Sequence, residues 1–251
     1  MKKLTTLFAL CAVLSSGAAQ ATLTDRGGGL LYDNVLNVTW LQDANYAQTS
    51  GYDTDGLMSW NDANYWAANL VYHDSVRNVD YSDWRLASNT PVNGAYFNLY
   101  YSYNGSTDRG YNITSPASEL AYMYYVNLGL KGYYSPTGAY QPDYGVFGNG
   151  FSESNGGQAN VGLVVNLKPD RYWSGTVYET DPANVVWGFS TFGGDQLGHW
   201  KEDALYAWAV RPGDVAAITA TVPEPETYAM FLAGLGLMGF IARRRKQKEA
   251  A

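Results

Sequence analysis

Cysteine is almost missing from this chain of 251 residues: the only one is Cys11. It sits in the apolar stretch Leu4–Leu14, behind Lys2 and Lys3 and ahead of Ser15-Ser16-Gly17-Ala18-Ala19-Gln20-Ala21. A charged start, a short apolar run and Ala19-x-Ala21 predict a secretory signal peptide over residues 1–21, cut after Ala21. Leu10 rather than a small residue precedes Cys11, so this is not a lipid-attachment site. The mature chain then has no thiol, which excludes disulfides, thiolate metal sites and cysteine nucleophiles together. Histidine is scarce as well, with His73 and His199 far apart in unrelated contexts. The sequence has no Gly-x-Ser-x-Gly elbow, His-Glu-x-x-His helix or phosphate loop.

Positive charge is the third shortage. The chain has 16 basic and 23 acidic residues, a net charge of -7. Without the signal peptide and the basic C-terminal tail, the net charge of residues 22–222 falls to about −11. Such a surface repels phosphate backbones and anionic lipid, which excludes nucleic acid as a partner. Acidic pairs such as Glu202-Asp203, or Asp80 with Asp83, are residue types a glycosidase uses. Nothing marks a matched acid and base among them, and solvated surface carboxylates are the simpler reading. No catalytic residue and no cofactor is expected.

Long apolar runs are confined to the two ends. The C-terminal one follows Val222-Pro223-Glu224-Pro225-Glu226-Thr227 and precedes Arg243-Arg244-Arg245-Lys246. Each proline fixes its own φ and extends the residue before it, so a protease or transpeptidase cleft takes up this strand at little entropic cost. Residues 227–242 are uncharged and predict a transmembrane helix of roughly 24 Å at ~1.5 Å per residue. That is short of the ~30 Å hydrocarbon core, a gap that bilayer thinning and snorkelling arginines close. The basic cluster stays in the cytoplasm, giving an N-out, C-in span.

This order of parts, residues 222–251, resembles the PEP-CTERM sorting signal of Gram-negative exported proteins. The resemblance implies that, after Sec export, a membrane-embedded exosortase cuts near Pro223-Glu224-Pro225. The released domain then passes to the cell surface or the exopolysaccharide matrix. An uncut membrane anchor has the same topology and stays open as the alternative.

Between the ends, residues 22–213 predict one α+β domain with a real core, followed by a linker at 214–221. The spacing predicts a hairpin over Leu30–Tyr32 and Val38–Trp40, and a helix from Trp60 to Tyr72 capped by Ser59. A loop at 73–83 and a short buried strand at Trp84–Ala87 follow. A second helix is predicted to start at Ser115-Pro116 and stop at Gly129. Strands are predicted at 161–167, 172–178, 185–192 and 205–210. The stretches 88–115 and 131–160 are rich in Tyr, Gly and Asn and read as long surface excursions. Asp53-Thr54-Asp55-Gly56 resembles part of a calcium loop, with Asp53 and Asp55 as candidate ligands, but no Glu follows at the required distance. A tight turn is the simpler reading.

Four stretches in order carry a second resemblance. They are Asp55-Gly56-Leu57-Met58-x-Trp60; Trp84-Arg85-Leu86-Ala87-Ser88; Tyr172-Trp173-Ser174-Gly175-Thr176; and Val185-Val186-Trp187-Gly188-Phe189 through Lys201 to Ala209-Val210-Arg211. Together they resemble the family named for the C-terminal domain of the bacterial collagen-like adhesin Lcl. The resemblance implies a C-type-lectin-like fold, two helices on a small curved antiparallel sheet, and a glycan-binding or adhesive role. It also implies Trp60, Trp84, Arg85, Trp173 and Arg211 as fold-signature residues. Ala87-Ser88 stands where that family has Pro-Thr. Read by themselves, the three tryptophans are core anchors, and Arg85 is a semi-buried arginine holding a loop carboxylate.

Two roles follow from different classes. One is a structural component of the surface or matrix. The other is a glycan-binding module in which aromatics of Tyr96–Tyr111 and Tyr133–Phe151 stack on sugar faces, with calcium bridging any acidic chain. Tyrosines packed for structure are the plain alternative to such a platform.

Overall fold

The computed structural model describes residues 23–148 and 159–215. The predicted signal peptide with Ala19 and Ala21 lies outside the described residues. So do most of the linker and the whole sorting tail with Pro223, Glu224, Pro225, Arg243, Arg244, Arg245 and the 227–242 span.

The described strands, in chain order, are β1 (Leu23–Asp25), β2 (Leu30–Asp33), β3 (Val38–Leu41), β4 (Tyr72–Asp74), β5 (Val79–Tyr81), β6 (Arg85–Leu86) and β7 (Tyr101–Ser102). They continue with β8 (Arg109–Tyr111), β9 (Ala159–Val161), β10 (Val164–Leu167), β11 (Arg171–Val177), β12 (Val185–Ser190), β13 (Asp195–Trp200) and β14 (Ala209–Pro212). The helices are α1 (Tyr46–Thr49), α2 (Trp60–Asn69) and α3 (Glu119–Tyr122), and α3 runs on into a π-turn at Met123–Asn127. The domain is therefore mostly β with a few short helices.

The strands form two five-stranded sheets, β1-β2-β3-β14-β6 and β11-β12-β13-β8-β7, and two separate hairpins, β4-β5 and β9-β10. The first sheet is antiparallel throughout, whereas β7 and β8 pair parallel in the second. This is a larger β framework than the single small curved sheet expected. The two sheets are stitched together by the approach to β14. Trp173 donates its N–H to the Tyr206 carbonyl at 2.9 Å, and Tyr206 donates to the Arg171 carbonyl at 3.0 Å.

Local chemistry explains the best-defined elements. In the β2–β3 hairpin Leu31 faces Trp40, and Asn37 takes φ 52, a left-handed conformation that asparagine tolerates better than most residues. Asp33 is fully buried, and its Oδ1 accepts from the N–H groups of Val35 and Leu36 inside that turn. Ser59 caps α2, accepting from the Asp62 N–H, and the helix buries Ala63, Trp66 and Ala67. The helix ends at Asn69, not at Tyr72 as predicted. Tyr72 instead opens the β4–β5 hairpin, its hydroxyl donating to the Gly28 carbonyl and its ring meeting Trp84 edge-on at 5.9 Å. The predicted 73–83 loop is therefore mostly hairpin.

The second helix starts at Glu119 behind the Ser118 cap, three residues after the predicted Pro116 start. The predicted strand at 205–210 is shorter, because Leu205 and Tyr206 form isolated bridges to Met58 and Tyr172. The core lies where the sheets meet. Trp40 packs on Trp208 with ring centroids 4.8 Å apart, and Tyr172 meets Trp208 at 6.1 Å. All three are at least 98 % buried. Each such indole removes a large apolar area from water, worth roughly 3–5 kcal/mol against alanine.

Candidate functional site

The five residues expected as a fold signature lie in the framework. Trp84 and Trp173 are buried, and each indole donates to a carbonyl: Trp84 locally to Tyr81 at 2.9 Å, Trp173 across the structure to Met58 at 2.8 Å. Trp60 is half-buried. It donates to the Ser174 carbonyl at 2.9 Å and carries the Lys201 ammonium 4.7 Å from its ring. Arg85 grips Glu119 with two bonds of 2.7 Å, so its partner is a carboxylate in the first turn of α3, not one in a loop. Arg211 holds Asp83 through Nε and Nη2 and lies 4.3 Å over the Tyr81 ring. Its hydrogen bonds pull the Asp83 carboxyl below the usual carboxylate range, against a smaller opposing push from burial.

Asp53 and Asp55 form a self-contained turn. Asp53 Oδ1 accepts from the N–H groups of Asp55 and Gly56, and Asp55 Oδ1 accepts from the Leu57 N–H. Burial pushes the Asp53 carboxyl up, but these backbone bonds outweigh it and leave it lowered. Among the described residues no group of three or more His, Cys, Asp or Glu side chains gathers into a metal-binding arrangement.

The tyrosine-rich excursions pack mainly on themselves. Tyr133 meets Tyr134, Tyr140 and Tyr144 at 4.7, 5.0 and 4.7 Å, Tyr134 meets Tyr111 at 5.3 Å, and Tyr144 meets Phe192 at 5.4 Å. Among the described residues of these stretches, only the tyrosines Tyr96 and Tyr100 stand well clear of this web, at 64 % and 82 % exposure. They flank a shallow groove of about 290 Å³ over residues 96–100.

A second open cleft, about 300 Å³, lies on β12 and β13 and was not foreseen from the sequence. Val185, Leu197, Gly198, His199 and Trp200 line it with Tyr178 and Arg109. Val185 and the Tyr178 ring pack closely on Gly198, where a Cβ would meet them at 2.9 and 3.0 Å. Trp200 offers an indole that is 58 % exposed. Arg109 makes no ion pair among the described residues, and its guanidinium lies 5.9 Å from the Tyr101 ring. His199 is held neutral: burial, aided by the nearby Arg171 charge, pushes its pKa down to about 4. Phe97 of the first groove and Tyr178 of the second both pack on the buried Trp187, at 5.6 and 4.5 Å. The trough is open and aromatic-rimmed, with the Arg109 guanidinium at its edge, unpaired by any carboxylate among the described residues.

Among the described residues no helix is long and apolar enough to cross a membrane. No curated protein and no solved structure matches the chain. Residues 221–246 match the PEP-CTERM protein-sorting motif, over the same stretch that carries Pro223-Glu224-Pro225 and the arginine cluster. The chain thus carries the sorting signal of an exported protein processed by exosortase, with its C-terminus anchored in the membrane before processing.

Proposed function

We propose that this protein is a non-catalytic surface or matrix component whose domain, once sorted and cut by exosortase, binds exopolysaccharide in the Trp200 cleft. A lectin-like mode of binding belongs to this reading, as do Sec export and release to the cell surface. The observation that carries it is the half-exposed Trp200 over a glycine-lined trough, attached to a chain whose tail addresses it outward. No resident cofactor is needed, and calcium enters only as a bridge to an acidic chain.

Two experiments test it. Intact mass and fractionation from the native host, with and without Glu224→Ala, should find a C-terminus shortened near Pro223–Pro225 only when Glu224 is present. An uncut chain in the membrane fraction in both cases would make the tail a plain anchor. A glycan array, run with saturating calcium and again with chelator, should show binding that Trp200→Ala removes without changing thermal stability. No glycan response in either condition leaves the second reading, a structural matrix component. The self-packed tyrosines favour that reading.

A further inference from the structure

After loss of residues 1–21 the exported chain has no thiol with which to staple itself, yet it has 22 tyrosines. Several stand in ring contact across long stretches of chain. We propose that the domain is matured by oxidative phenol coupling, through a carbon–carbon bond between Tyr103 and Tyr134.

These two rings have centroids 5.0 Å apart at 70°. Their backbones are tied together by one side chain: Asn112 Nδ2 donates to the Tyr103 carbonyl at 2.6 Å and to the Tyr134 carbonyl at 2.8 Å. Tyr111 braces both rings, stacked on Tyr103 at 6.2 Å and edge-on to Tyr134 at 5.3 Å. Tyr103 is 40 % exposed, open to a bulky oxidant, while Tyr134 is half-buried behind it. Neither hydroxyl makes a hydrogen bond among the described residues, so losing the phenolic hydrogen breaks nothing. Two other close pairs fit less well. Tyr133 and Tyr134 are chain neighbours, and Tyr144, which meets Tyr133, is only 5 % exposed.

The oxidant is hydrogen peroxide acting through an extracellular peroxidase. Each phenol gives up one electron and one proton, and the peroxide takes both pairs to become two waters. The two phenoxyl radicals join at the ring carbons ortho to the oxygens. The hydrogens on those carbons then shift to the oxygens and restore both aromatic rings. The bond closes the loop between residues 103 and 134, restricting the unfolded chain as a disulfide would.

The test treats dilute full-length protein, purified from its host, with haem peroxidase and limiting peroxide, followed by trypsin. Arg109 and Lys131 separate the two tyrosines, so coupling appears as a linked peptide pair lighter by two hydrogens, with blue dityrosine fluorescence. We expect this product in the monomer, together with a higher melting temperature, and its loss in Tyr103→Phe and in Tyr134→Phe. Tyr140→Phe should retain it. The proposal is overturned if the linked pair survives either of the first two substitutions. It is also overturned if coupling occurs only between molecules, for example at the 82 % exposed Tyr100.

Discussion

Glu119→Ala should be the most informative single change in the framework. The Glu119 carboxylate accepts three hydrogen bonds, two of 2.7 Å from Arg85 and one of 2.6 Å from the Ser88 N–H, and the residue is 8 % exposed. Truncating one partner of a buried ion pair costs ~3–5 kcal/mol, because the other charge is left without its partner. The Arg85 side chain is 39 % exposed, so water partly screens its charge and the figure must be reduced. A loss of about 2–3 kcal/mol remains, equivalent to a melting point lower by roughly 4–12 °C for a domain of this size. Glu119→Gln keeps an acceptor for Ser88 and should cost about half as much. Urea titration followed by tryptophan fluorescence measures both. If alanine costs less than ~1 kcal/mol, or if glutamine costs as much as alanine, the carboxylate is not holding β6 to α3 as described.

His199 should make the domain acid-sensitive. Its folded pKa, about 4, lies below its ordinary value of 6.5, so between those pH values the unfolded chain binds more protons and stability falls on acidification. Asp195 is raised by burial and works in the opposite direction at the acid end of the window. Urea midpoints measured from pH 7 to 4 should fall, and His199→Gln should flatten the slope. Gly110→Ala should unfold the β7–β8 edge, since Gly110 has φ 122 and a Cβ there would press onto the Ser102 carbonyl oxygen. Its melting point should drop by more than that of Gly94→Ala, where φ is also positive but nothing lies within 4 Å. Trp173→Phe leaves the Met58 carbonyl without its indole donor and a void in a fully buried site, with an expected loss of ~2–4 kcal/mol by chemical denaturation.

Much of the framework was legible wherever one short stretch carries its own signal. The β2–β3 hairpin alternates apolar residues around a turn that Asn37 can make, and Ser59 with Asp62 marks the start of α2. The strand β13 was not legible. Asp195-Gln196-Leu197-Gly198-His199-Trp200 has no β-branched residue and a glycine inside it, so its propensity argues against a strand. It is a strand because β12 and β8 supply ladders on both sides, and Gly198 is the residue that lets Tyr178 and Val185 close over it. The cleft was missed for the same reason, since Trp200 and Gly198 are its central parts. The later start of α3 was set by distant partners, Arg85 and the Ser88 backbone, which fix Glu119 as a first-turn residue. Tyrosine richness was visible in the sequence, but whether each ring faces sugar or another ring depends on contacts between residues tens of positions apart.

The scarcity of thiols and the abundance of indoles belong together. Without a disulfide, the layers of this domain must be pinned by contacts that resist water, and tryptophan supplies both a large apolar area and a single directed donor. Trp60, Trp173 and Trp208 each place an indole N–H on a carbonyl more than a hundred residues away in sequence; Trp60 and Trp173 tie the α2 region to β11, and Trp208 ties the approach to β14 onto β3. With the layers held in this way, the parts of 88–115 and 131–148 outside β7 and β8 carry less of the burden of holding the sheets. They can differ in a relative without loss of the core. Specificity should therefore be sought in Tyr96–Tyr100 and around Trp200, at the edge of the framework. The destination of the protein is written separately, in the sorting motif at residues 221–246.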